Sequence, residues 1–297
     1  VHTQHLFIMG RLGRWAARRR RLPLVYTYHT LIEQYTHYAP GPQAWLRRRV
    51  IRLSRDYCES ADCVITPSAA ARDVLRGYGV TNRIEVIPTG VDTDLAELAR
   101  QSPIREQLGI PRDVPLLMYS GRLAMEKSVD FLVEMFPLVL RSFPEARLLF
   151  VGGGPAEKEL RERAQQLGIS DHVHFSGYLA RPDVLRCCAD ADLYVFASQT
   201  ETQGISVLEA MAAGVACVAV AATGVSEVVE SGRSGTLTAP DREEFAAAVI
   251  KLLGDAEGRS RMGVCARDRA GEFSVARSTD KLCHVYDEVW RARGEPG

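Results

Sequence analysis

Short apolar runs alternate with longer amphipathic stretches along most of this 297-residue chain, and that alternation limits the fold more than any other feature. Leu116–Ser120, Arg147–Val151, Val173–Ser176, Leu193–Ala197 and Val215–Val220 are too short for helices. Between and after them lie helix-like stretches: one from about Ser128, then Ala156–Leu167, Asp183–Cys188, Ser206–Ala213 and, after a strand at Gly235–Thr238, Arg242–Leu253. A regular strand and helix alternation predicts an α/β fold with parallel sheets covered on both faces. The first third repeats the pattern more briefly. VHTQH reads as the end of a strand, followed by a helix from Ile8 through Arg20, strands at Leu24–Thr27, Cys63–Thr66 and Ile84–Ile87, and helices over Ala44–Ser60 and Ser68–Tyr78. Pro88–Asp92 (PTGVD) and the polar stretch to Pro115 read as a connection between two domains.

The most informative stretch is Tyr194–Gly214, YVFASQTETQGISVLEAMAAG. Gly204 permits a tight turn from strand to helix, and the first amides of that helix are unpaired donors with partial positive charge, suited to an anion such as a diphosphate. Glu201 then lies in the loop and Glu209 on the helix, sharing a face with Ile205 and Ala213 while Leu208 and Met211 point to the core. Carboxylates do not usefully touch a phosphate, so the pair suits neutral hydroxyls on either side of it. Two ordinary surface glutamates on a strand-to-helix connection are the plainer alternative.

Glu201 and Glu209, followed by EAMAAG, resemble the nucleotide-sugar site of retaining glycosyltransferases of the GT4 type, which have the GT-B fold of two Rossmann-like doubly wound domains. The resemblance implies that the loop glutamate holds hydroxyls of the donor sugar and the helix glutamate holds the ribose. It also implies three parts: an N-terminal acceptor-side domain over 1–112, a nucleotide-sugar domain over 113–275, and a C-terminal helix over 276–297 that crosses back onto the first. A doubly wound half has roughly six strands, and only about four are legible here, with no Gly-rich loop before Val1. The N-terminal domain is therefore expected to lack its front, so that the native protein is longer or this form is inactive.

Further residues fit the same family. Gly121, Arg122 and Lys127 in GRLAMEK follow the first strand of the second domain, where an open α/β sheet places its ligand. A guanidinium fork and an ammonium can together offset a diphosphate leaving group, although either alone reads as a solvated cation. Gly153 in VGGGP and Gly177 before Tyr178 are expected to line the same cleft, the latter near the base. His29 is read as the end of the YTYHT strand; it resembles the family histidine that reaches the donor sugar, against the commoner structural role of a lone histidine. HTLIEQYTHY (His29–Tyr38) resembles the HTxxExYxHY segment of glucosyltransferases acting on diacylglycerol, which makes Glu33, Tyr35, His37 and Tyr38 candidates for the acceptor side, an ordinary polar loop being the alternative.

Composition narrows the partners. Lys plus Arg and Asp plus Glu both number 37, so nothing draws the chain to nucleic acid, yet the first 60 residues hold eleven arginines against three acids. RLGRWAARRRRL and WLRRRVIRLSR set those arginines beside Trp15, Trp45, Leu46 and Ile51, which suits an anionic membrane surface and suits a solvated basic face nearly as well. Seven scattered cysteines without a CxxC pair fit free thiols in a reducing cytoplasm. No run is apolar enough to span a bilayer, so a cytoplasmic protein, peripheral on the inner face of the cell membrane, is expected. The combined expectation is a retaining, metal-independent transfer of a hexose, glucose from UDP-glucose, to a lipid hydroxyl. A soluble glycan acceptor, or nucleotide binding without catalysis, stays open.

Overall fold

Two parallel sheets organise the computed structural model, which describes residues 1–94, 96 and 104–293 apart from the side chain of His37. They belong to two compact units, one made of Val1–Gly90, Thr200–Gln203 and Val275–Gly297, the other of Val91–Gln199 and Gly204–Ser274.

In the first unit β1 (His2–Thr3), α1 (Ile8–Arg20), β2 (Val25–Thr27), α2 (Gln43–Cys58), β3 (Cys63–Thr66), α3 (Ala69–Gly77) and β4 (Ile84–Val86) follow one another, and the strands pair in the order β1-β2-β3-β4. Side chains alternate across a strand, and the sheet has a core on each face. Tyr26 and Val64 join Ala17, Tyr57 and Leu75 on one side, while Val25, Cys63 and Ile65 meet Val285 and Val289 on the other. The strand expected to reach His29 stops at Thr27. Tyr28 makes one more ladder bond, donating its N–H to the Ile65 carbonyl at 2.8 Å, and is fully buried; the chain then turns and leaves His29 exposed.

The second unit runs β5 (Leu116–Ser120), α4 (Val129–Leu140), β6 (Arg147–Val151), α5 (Glu157–Gln166), β7 (Val173–Gly177), α6 (Arg181–Asp190), β8 (Leu193–Phe196), α7 (Ile205–Ala212), β9 (Cys217–Val220), α8 (Val225–Val228), β10 (Gly235–Thr238), α9 (Arg242–Leu253) and α10 (Ala256–Gly271). The last helix, α11 (Val275–Arg293), groups with the first unit, where Glu288 pairs with Arg83 and Arg293 with Asp62. The second sheet has the order β10-β9-β8-β5-β6-β7. Renumbered from its own first strand this is 6-5-4-1-2-3, the doubly wound arrangement in which the chain reverses direction across the sheet between β5 and β8. All five residues of β5 and all four of β8 are buried, as strands covered on both faces must be. Each large apolar side chain among them contributes about 1.5–3 kcal/mol by leaving water.

Candidate active site

A doubly wound sheet binds ligands outside the carboxyl ends of its strands at the switch point, here the loops after β5 and β8. The loop after β5 is locked to its neighbour by backbone contact alone. Gly121 donates its N–H to the Val151 carbonyl at 2.9 Å and Leu123 donates to the Gly153 carbonyl at 3.0 Å. A Cβ on Gly152 would lie 2.1 Å from the Gly121 carbonyl oxygen, and one on Gly154 would lie 2.2 Å from that of Leu123. The close approach that VGGGP allows is thus made to the adjacent loop at Gly152 and Gly154. Gly153 lies under Tyr178, whose hydroxyl donates to the Gly153 carbonyl at 3.1 Å while its ring stays 80% exposed. Gly177, at φ +69°, turns the chain from β7 into that tyrosine.

Arg122 and Lys127 sit on the loop so fixed. Arg122 is half exposed, with Nη1 3.8 Å from Oε1 of the largely buried Glu126 side chain. Lys127 ends a short 3-10 turn, Met125–Lys127, just before α4.

After β8, Gly204 takes φ +82°, a conformation that side chains strain to adopt, and α7 starts at Ile205, which is 41% exposed. Leu208 and Met211 are fully buried, as the helical spacing requires, and Ala213 is buried with them rather than lying on the open face with Ile205. Glu209 is largely buried and meets Arg181 of α6, Nη2 to Oε1 at 3.0 Å. Burial pushes the Glu209 carboxyl above its ordinary range, and the Arg181 guanidinium draws it part of the way back. Sequence reasoning missed Arg181, although it shares a face with Leu185 and Cys188 at helical spacing, and both of those are buried.

The loop segment Thr200–Gln203, which carries Glu201, groups with the first unit. Thr202 Oγ1 donates to the His29 carbonyl at 2.9 Å. The buried Gln203 amide clamps Thr89 from both sides: Thr89 N–H donates to Oε1 at 2.8 Å, and Nε2 donates to the Thr89 carbonyl at 2.9 Å. The PTGVD turn is therefore held through its backbone. His29 Nδ1 meets Thr30 Oγ1 at 3.2 Å, and His29 borders a cavity of about 220 Å³ lined also by Gln4, His5, Leu6, Phe7 and Ile32. Ile32–Tyr38 is a 3-10 helix rather than a loop. It buries Glu33, which accepts from Tyr28 Oη at 3.3 Å, leaves Tyr35 half-buried and exposes Tyr38, while the side chain of His37 lies outside the described residues.

Two family models match the chain. Glycosyltransferase Family 4 covers residues 1–95, and Glycosyl transferases group 1 covers residues 100–269, more than half of the chain. The chain belongs to this family. It is 32% identical over 258 residues to an alpha-monoglucosyldiacylglycerol synthase of Streptococcus pneumoniae, a match that takes in 85% of this chain and 58% of that protein's length. Among solved structures, sucrose-phosphate synthase from Thermosynechococcus elongatus superposes with a TM-score of 0.84 at 26% identity, over 98% of this chain and 73% of that one. Alr3699/HepE from Anabaena, in complex with UDP and glucose, gives 0.81 at 25% identity over 94% and 75%. The two parallel-sheet units are those of the GT-B fold.

Among the described residues, no helix is long and apolar enough to cross a membrane. The arginine-rich helices do carry exposed apolar groups. On α1, Ile8, Leu12 and Trp15 form one stripe beside Arg11, Arg18 and Arg19, with Met9 also exposed. On α2, Trp45 and Leu53 are exposed while Leu46 and Ile51 are half-buried.

Proposed function

We propose that the chain carries out a retaining hexosyl transfer, moving glucose from UDP-glucose to a lipid hydroxyl such as that of diacylglycerol. The observation that carries this reading is the largely buried Glu209 carboxylate on the helix that follows β8, with Arg122 and Lys127 on the loop that follows the neighbouring strand β5. Glu209 takes the ribose hydroxyls, Glu201 those of the glucose, and Tyr178 and Gly177 border the base. Gly121, Gly153, Gly204 and Ile205 offer backbone around the diphosphate. In the transfer the acceptor hydroxyl attacks the anomeric carbon on the face from which UDP departs. The bond from that carbon to the diphosphate breaks, the new glycosidic bond forms on the same side, and the proton passes to a phosphate oxygen. Arg122, Lys127 and the first amides of α7 offset the charge that builds on the diphosphate, and His29 contacts the sugar. No step calls on a metal or other cofactor.

The lipid acceptor is supported by the exposed apolar and basic groups of α1 and α2 and by the likeness to the pneumococcal synthase. Basic residues at an anionic bilayer contribute about 1 kcal/mol each. Glucosylation of diacylglycerol in vesicles is accordingly expected to rise roughly tenfold when anionic lipid replaces neutral lipid. Equal rates in both vesicle types would speak against membrane docking. The superposition on sucrose-phosphate synthase favours a second reading with a soluble acceptor, and transfer to a water-soluble sugar in the absence of vesicles would establish it.

A further inference from the structure

Arg181 is the first residue of α6, directly after the loop that holds Gly177 and Tyr178. Its side chain is 55% exposed, whereas that of Glu209, 3.0 Å away, is 18% exposed. A carboxylate so far removed from water needs a partner to remain charged. The other titratable group that α6 brings near it is the Cys188 thiol, fully buried and itself raised, first by burial and then by Glu209. Tyr194 of β8 turns its hydroxyl to Ser120 and Ser206. The helix α10 approaches α7 at its far end, with Gly263 against the Gly214 carbonyl. Arg181 is thus the cation that acts on Glu209.

We propose that Arg181 is a positioning residue of the nucleotide site, gripping the Glu209 carboxylate through Oε1 so that its remaining lone pairs accept the ribose hydroxyls. This rests on the reading of Glu209 as the ribose ligand. An ion pair of this kind contributes little when both groups are in water. Here one partner is buried, and a protonated Glu209 would lose acceptor capacity where the ribose needs it. The arginine is on a helix whose inner face packs on α7, so it constrains the rotamer as well as the charge.

The test is calorimetric titration of the full chain with UDP across about pH 5.5 to about pH 8, for the wild type, Arg181→Gln and Arg181→Lys, with circular dichroism to confirm folding. Arg181→Gln is expected to bind UDP more weakly, with a loss that steepens toward about tenfold per pH unit as pH falls through the Glu209 titration. Arg181→Lys is expected to restore the wild-type pH profile. Wild-type affinity in Arg181→Gln, tighter binding, or a uniform loss at every pH would overturn the positioning role while leaving the nucleotide site standing. A wild-type chain that binds no UDP would overturn both.

Discussion

Glu209→Ala is expected to raise the dissociation constant for UDP by roughly 100-fold or more at neutral pH. Two hydroxyls donating to one carboxylate are charge-assisted hydrogen bonds, each worth about 1.5–3 kcal/mol, and alanine removes both. The substitution leaves the site otherwise intact. Glu209 sits on α7, whose buried residues Leu208, Ala210 and Met211 hold the helix independently of it, and alanine is the best helix former. The released Arg181 is half exposed and finds water. Removing a largely buried carboxylate is expected to leave the thermal midpoint unchanged or to raise it, since burial works against the charged form. Isothermal titration beside a thermal melt checks both parts, and a stable Glu209→Ala chain that binds UDP as the wild type does would remove the ribose role.

The second large effect concerns turnover. Arg122→Ala and Lys127→Ala are each expected to lower kcat about 10²–10³-fold, with a smaller change in KM, because charge on the departing diphosphate is greatest in the transition state. In the proposed mechanism the two cations serve one leaving group, so the double variant is expected to lose less than the product of the single losses. Arg122 has a further determinant in Glu126, whose mostly buried carboxylate lies 3.8 Å away and biases the guanidinium within the loop. Single-turnover rates with UDP-glucose separate these effects from product release. A fall confined to KM, with kcat preserved, would assign the two residues to binding the ground state alone.

The central strands of the second unit were legible because they are buried on both faces, and such strands print as unbroken apolar runs. Leu116–Ser120, Arg147–Val151 and Gly235–Thr238 are strands at the residues the sequence suggests. The boundary at β9 moved because Val215, although apolar, closes the preceding helix: Gly214 adopts φ +79° and the Val215 N–H returns to the Ala210 carbonyl at 3.1 Å. The helix α6 starts two residues before the expected Asp183, with Pro182 in its first turn, where a missing N–H costs nothing. Other features depend on contacts distant in sequence. The pairing of β5 with β8 defines the switch point, yet no local pattern announces it. The Gln203 clamp on Thr89 and the Arg181 grip on Glu209 are single side-chain contacts between segments with no shared periodicity. The burial of Glu33 rests on a short-range contact instead: Tyr28, five residues earlier, offers its hydroxyl to an acid in a polar-looking segment.

The most direct measurement is titration of the full chain with UDP, UDP-glucose and GDP-mannose under one set of conditions. Saturable one-to-one binding of UDP and UDP-glucose, at least about tenfold tighter than GDP-mannose, is the result predicted by the proposed reading of the base near Gly177 and of the sugar by Glu201. Binding of none of the three by a folded chain would contradict the assignment of the switch-point loops to a nucleotide sugar.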